Sequence, residues 1–240
     1  MTYNRIAAIT NVALCYQALD RAIHRSPGLP GMVVFHGFSG YGKSHASANA
    51  ANRLDAVYVQ CKSTWTNRAF LEALAIELNL TPEKTVARLM EQICSELMKS
   101  QRPVMIDEAD HLADKKQVMM LMDIYEGSQA PIMLIGEENL PAKLGLYEKI
   151  HNRILDWVPA MPCELHDVIE LAKIYAPGIS IDEALLKNLH AATKGVTRRI
   201  CVNLDSIAQF ARNNGTNSVT LANYSEPLFT SQAPKRRKSA

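Results

Sequence analysis

Apolar residues follow two alternating patterns along this chain. Short, nearly continuous runs at 32–35, 56–61, 104–106 and 132–135 read as strands buried on both faces. Between them the apolar positions recur at helical spacing. Residues 11–24 carry Val12, Leu14, Leu19 and Ile23, residues 46–54 are Ala-rich, and residues 67–78 place Phe70, Leu71, Leu74 and Leu78 on one face. A further helix to about residue 99 is predicted to open at Thr81, with Thr81 as N-cap and Pro82 at the first helical position. The Ser-Pro-Gly-Leu-Pro-Gly segment at 26–31 separates the first helix from the first strand. Strands alternating with helices predict an α/β fold, a parallel sheet with helices on both faces. Beyond Trp157 the pattern changes. Pro159, Pro162 and a loss of strand runs put a boundary near residue 161, and helical spacing returns at 164–176, 182–194 and 196–213. The expected division is an α/β domain over 1–161, a small helical domain over 162–228, and a tail over 229–240. That tail carries Lys235, Arg236, Arg237 and Lys238, which have little capacity to bury anything. No internal repeat is visible.

Composition narrows the class without naming a partner. At 240 residues, 48% of them hydrophobic, the chain can build a sizeable core. A formal charge of +2 is too small to announce a nucleic-acid binder by itself. The five cysteines (Cys15, Cys61, Cys94, Cys163 and Cys201) are odd in number and widely scattered, which argues for reduced thiols rather than a zinc site or disulfide framework. With no long apolar run, the expectation is a soluble, cytoplasmic protein with no membrane partner.

One stretch adds chemistry. Gly37-Phe38-Ser39-Gly40-Tyr41-Gly42-Lys43-Ser44 follows the first strand and precedes a helix, the context that a phosphate-binding loop requires. Glycines allow successive backbone N–H groups to turn toward phosphate oxygens, and the helix N-terminus favours the anion. Lys43 would reach the β- and γ-phosphates of ATP, the Ser44 hydroxyl would ligate Mg2+, and His45 would continue into the helix. A second element is the strand ending in Asp107 and Glu108. Ligand sites in parallel sheets lie at that strand end, so Asp107 is assigned to the magnesium and Glu108 to the attacking water. Asp107-Glu108-Ala109-Asp110 also spells the tetrapeptide of one RNA helicase family, but no second helicase-like core accompanies it.

The pairing of these motifs resembles the AAA+ ATPases with a small helical lid. The resemblance implies roles for residues elsewhere. Asn139, after the 132–135 strand, would be the first sensor beside the γ-phosphate. Arg198, in Gly195-Val196-Thr197-Arg198, would be the lid's second sensor, and Arg153 would act as a finger on a neighbouring subunit's nucleotide. Within that superfamily, the Gly-Tyr-Gly-Lys-Ser-His form of the loop looks like that of the transposition ATPases of Mu-type phages and related transposons. This implies ATP-dependent self-association, as a helical oligomer or ring, on double-stranded DNA without marked sequence preference. It also implies target capture, activation of a transposase, and the bacterial host cytoplasm if the gene is phage-borne. The chain has no room for a separate N-terminal helix-turn-helix domain, so DNA contact would fall to the ATPase part and the tail. Lys62, Thr64 and Arg68, with Lys115 and Lys116, are the basic and hydroxyl residues available. Trp65 beside them is better explained by core packing. Competing expectations are a secretion-associated AAA+ scaffold and, less favoured, a helicase or clamp loader.

Overall fold

The apolar runs become strands of one sheet: β1 (Met32–His36), β2 (Val57–Gln60), β3 (Val104–Asp107) and β4 (Ile132–Gly136), joined by β5 (Ile154–Pro159). Their order is β2-β3-β4-β1-β5 and every pairing is parallel. Val33 lies opposite Met133, and Ile106 sits between Val59 and Leu134. Every position of β3 and β4 is buried, so both faces of the sheet are covered. This computed structural model describes residues 7–231, and the basic cluster at 235–238 lies outside the described residues. The chain divides into two compact units: Asn11–Met161, and a second formed by the described parts of Met1–Thr10 and Pro162–Ala240.

The larger unit carries α1 (Thr10–Ile23) from its second residue onward, α2 (Lys43–Arg53), α3 (Asn67–Glu77), α4 (Val86–Ser100), α5 (Asp110–Asp114), α6 (Met119–Ser128), α7 (Leu140–Gly145) and α8 (Glu148–His151). In α4 the fully buried Leu89, Ile93 and Leu97 form one stripe, and the helix packs on α3 and α6. Met120 and Met122 are buried in the same core, with Met119 and Trp65 packed against it. Leu97→Ala should lower unfolding free energy by about 2–5 kcal/mol, read as a shift in the urea midpoint at unchanged slope.

Three boundaries differ from the sequence reading. α4 does not open at Thr81. Residues 81–85 stay non-helical, and Thr85 is the N-cap, accepting the Arg88 N–H at 3.4 Å. A start at Pro82 would have added a first turn of Pro82, Glu83, Lys84 and Thr85, with no apolar side chain to bury. α2 begins at Lys43 rather than Ala46, so the helix rises directly out of the phosphate loop. The largest difference is β5, a strand through Trp157 to Pro159 that has no counterpart among the strand runs read from sequence. It is an edge strand, half-buried along most of its length, and an edge tolerates both Asp156 and a terminal proline.

The smaller unit contains α9 (Leu165–Tyr175), α10 (Glu183–Thr193) and α11 (Thr197–Asn213). A short parallel pair, β6 (Ser180–Ile181) with β7 (Ser218–Val219), adds a strand element that periodicity did not suggest. Buried Asp167 closes a capping box at the start of α9 and also accepts the Thr10 N–H at 2.8 Å.

Candidate nucleotide-binding site

The C-terminal ends of β1, β3 and β4 lie along one edge of the sheet, and the phosphate loop, Asp107, Glu108 and Asn139 follow directly from those ends. Chain leaving β1 turns at Gly37, whose N–H donates to the Gly136 carbonyl at 3.3 Å. Gly40 and Gly42 have φ of 88° and 81°, which side chains rarely adopt. At Gly37 a Cβ would also stand 3.0 Å from the Ala160 Cβ. The loop therefore depends on glycine for both conformation and clearance. Gly42 caps α2, so the first-turn N–H groups of Lys43, Ser44 and His45 lack intrahelical acceptors and are available to an anion.

Lys43 curls back across this loop, its Nζ donating to the carbonyls of Gly37 (2.6 Å) and Phe38 (3.0 Å). Burial pulls its pKa below the usual lysine value, opposed by the charges of Asp107, Glu108, Glu137 and Asp110. Burial, and then the Lys43 charge, also lowers the pKa of His36, favouring a neutral ring beneath the loop. On the far side, Asn11 acts as a clamp. Its amide donates to the carbonyls of Tyr41 (2.8 Å) and Met161 (2.7 Å), and its oxygen accepts the Met161 N–H at 2.8 Å.

Asp107 closes β3 as a buried carboxylate with both oxygens engaged. Oδ2 accepts the Tyr58 hydroxyl at 2.6 Å and Oδ1 accepts the Glu108 N–H at 2.8 Å. Burial, then hydrogen bonding to Asp107, pushes the Tyr58 hydroxyl pKa well up, so it stays a donor. Glu108 sits at φ 55°, a conformation that turns the chain sharply out of the strand. Burial first, and Asp107 second, raises its carboxyl pKa above the ordinary value. Beside it, β4 ends at Gly136, and exposed Glu137, Glu138 and Asn139 lead into α7.

These groups suit a triphosphate and a hard cation. The loop supplies amides and one ammonium, while the Ser44 hydroxyl and the Asp107 carboxylate are the oxygen donors that magnesium prefers. Asn11, Tyr58 and Asp110 were not singled out from sequence. Only Tyr58 left a trace there, as a polar-tipped residue alternating with Val57 and Val59, which are buried on the other face of β2.

Arg153 immediately precedes β5, its carbonyl accepting the Met32 N–H at 3.1 Å where β1 begins. That is the sheet edge opposite the phosphate loop, about 15 Å away along β1, so Arg153 is remote from the chain's own loop. Its guanidinium pairs with Glu126 at 2.7 Å. Arg198 belongs to the smaller unit, exposed in the first turn of α11. That turn follows Gly195, at φ 70°, where a Cβ would stand 2.7 Å from the Cys163 carbonyl. Of the residues expected to meet DNA, Lys62, Thr64, Lys115 and Lys116 are all exposed. The fold joins the two distant pairs: Lys115 Nζ donates to the Trp65 carbonyl at 2.7 Å, and Lys62 Nζ lies 5.6 Å from the centre of the Trp65 ring. Arg68 is instead engaged by Glu72 at 2.7 Å and by the Lys84 carbonyl.

Residues 26–144 match a family model described as AAA domain. No curated protein sequence matches the chain. Among solved structures, Cdc6p from Pyrobaculum aerophilum superposes with a TM-score of 0.64 at 16% identity, over 87% of this chain and 62% of that one. The Orc1 protein of Aeropyrum pernix, solved in complex with DNA, gives 0.60 at 17% identity, over 87% of this chain and 61% of that one. The chain thus spans about three-fifths of each of those proteins, and at such identities the likeness is one of fold.

Proposed function

We infer that this chain, whose fold is that of the AAA+ P-loop NTPases, is an ATP-dependent DNA-binding ATPase that assembles on duplex DNA. The observation that carries the reading is the gathering of Lys43, Asp107 and Glu108 at one strand edge, with the loop glycines held in positive φ. The first-turn amides of α2 and the Lys43 ammonium bind the phosphates. Ser44 and Asp107 would hold magnesium, which supplies positive charge to the phosphate oxygens. Glu108 takes the proton from the attacking water, and Asn139 orients that water. Arg153, remote from its own loop, fits a finger that acts across a subunit boundary, so turnover depends on assembly. Arg198 would couple the helical unit to nucleotide state.

DNA contact is assigned to the surface around Trp65, where Lys62, Thr64, Lys115 and Lys116 are exposed, with Arg68 joining only when released from Glu72. Lysines of this kind meet phosphates and read little sequence. Further support is that a protein of the same fold was solved with DNA. The finer reading is transposition, in which the ATP-bound assembly captures target DNA and activates a transposase. It rests on the form of the phosphate loop.

Fluorescence anisotropy with a labelled duplex, with and without ATP, tests the DNA assignment. ATP should raise affinity, and Lys62→Ala with Lys115→Ala should weaken binding uniformly across sequences and reduce the salt slope by about 2. Absence of any ATP-dependent affinity at low salt would remove DNA from the account. Adding a purified transposase to the ATP-loaded DNA complex then tests the finer reading through strand-transfer yield.

A further inference from the structure

Asp110 is an acidic residue that the mechanism above does not use, yet it is 5% exposed at the first position of α5. A buried carboxylate is costly unless paired and hydrogen-bonded. Both conditions are met, one by the chain leaving β4 and the other by α7. Its Oδ2 accepts the Glu137 N–H at 2.6 Å, just beyond the end of β4. Its Oδ1 lies 3.0 Å from Lys143 Nζ on α7, and that ammonium also pairs with Asp114 at 2.8 Å. Room for the approach exists only because residue 136 is glycine: a Cβ there would stand 2.2 Å from Asp110 Oδ2. A backbone bond, Ala109 N–H to the Ile135 carbonyl at 2.9 Å, runs alongside. The two turns are therefore joined at adjacent points. Glu108 lies two residues before the carboxylate, and Asn139 two residues beyond the amide it accepts.

We propose that Asp110 is a positioning residue that holds the Glu137–Asn139 tip of β4 in register with Glu108, so that base and water-orienting group meet the same water. This deepens, and rests on, the reading of the site as an ATP hydrolase. A hydrogen bond donated by one backbone amide to a charged acceptor is directional and short, which apolar packing between the turns would not provide. Lys143 neutralises the carboxylate from the solvent side while leaving that bond in place.

Steady-state ATP hydrolysis by the full chain with duplex DNA present, together with amide hydrogen exchange, provides the test. Asp110→Ala should lower kcat by about 100-fold through misplacement of the tip, leave KM for ATP unchanged, and speed exchange of the Glu137 amide while β1 stays protected. Asp110→Asn keeps an acceptor oxygen and should recover most of kcat. Gly136→Ala forces the carboxylate aside and should reproduce the loss. A folded Asp110→Ala protein with wild-type kcat, or a kcat loss with Glu137 exchange unchanged, would overturn the proposal. If Asp110→Ala fails to fold, a fully active Gly136→Ala protein, or an Asp110→Asn protein without turnover, overturns it instead. Wild type and Glu108→Gln run in the same assay separate the two levels. A wild type without turnover defeats the hydrolase reading itself, and the exchange comparison still tests the tie. Turnover that needs Glu108 and ignores Asp110 defeats only this inference.

Discussion

Lys43→Ala should raise the dissociation constant for ATP by about 30- to 1,000-fold, the equivalent of about 2–4 kcal/mol. The size follows from where the ammonium sits. Lys43 Nζ is half-buried over the loop, donating to the Gly37 and Phe38 carbonyls, so its charge is only partly screened by water. Alanine removes the one ammonium in the loop and leaves those carbonyls without their donor. Lys43→Arg should rescue little, because a planar fork cannot fold back on the same two oxygens as a compact ammonium does. Titration with a fluorescent ATP analogue measures both variants. Lys62→Ala, on the surface proposed to meet DNA, should leave nucleotide affinity at the wild-type value.

Glu108→Gln should keep ATP binding and lower turnover by about 100- to 10,000-fold, and DNA-bound assemblies should persist after ATP is added. Light scattering after a pulse of ATP would follow this, and faster disassembly in the variant would contradict the role given to Glu108. As the proposed base, the same residue should set the acid limb of activity. Burial raises its pKa above the ordinary 4.5. The base form is therefore lost, as pH falls, at a higher pH than an exposed glutamate would show. The stability effect has the opposite sense. A carboxyl whose pKa is higher folded than unfolded binds its proton more tightly in the native state, so its contribution is fully present below the unfolded pKa. It is lost as pH rises through the folded one. Glutamine has no such dependence, so Glu108→Gln should melt slightly higher than wild type at neutral pH and converge with it in acid. Melting curves across that range check the sign.

The nucleotide loop and the β3 carboxylates were legible because their chemistry is contiguous in the chain. Gly37 to Ser44 is a single run, and a strand ending in two acids needs no distant information to be noticed. The central strands were legible for a related reason: burial on both faces leaves β3 and β4 with no polar interruption. The edge strand β5 was not, since among the described residues one side has no neighbour and its side chains follow the rules of a surface. Nor were the groups that hold the site in shape. Asn11 meets Tyr41 and Met161, and Asp110 meets Glu137 and Lys143, through contacts that exist only once the strands are ordered in space. The boundary error at Thr81 has a more local origin. Thr81 and Thr85 both have the chemistry of a cap, and the choice went to the one that starts the helix a turn ahead of Leu89. Among the basic residues, Lys62 and Lys115 were separate clusters in the sequence and meet at Trp65 only in the folded chain.

Strand order has a further effect during biosynthesis. Among the described residues β1 pairs only with β4 and β5, so the segment bearing the phosphate loop waits for roughly 100 more residues to be translated before its first strand neighbour exists. At ~5–20 residues per second that is a delay of about 5–20 s. Meanwhile Met-Val-Val-Phe, which ends fully enclosed, has no sheet neighbour to bury against, the kind of transient apolar exposure that favours aggregation.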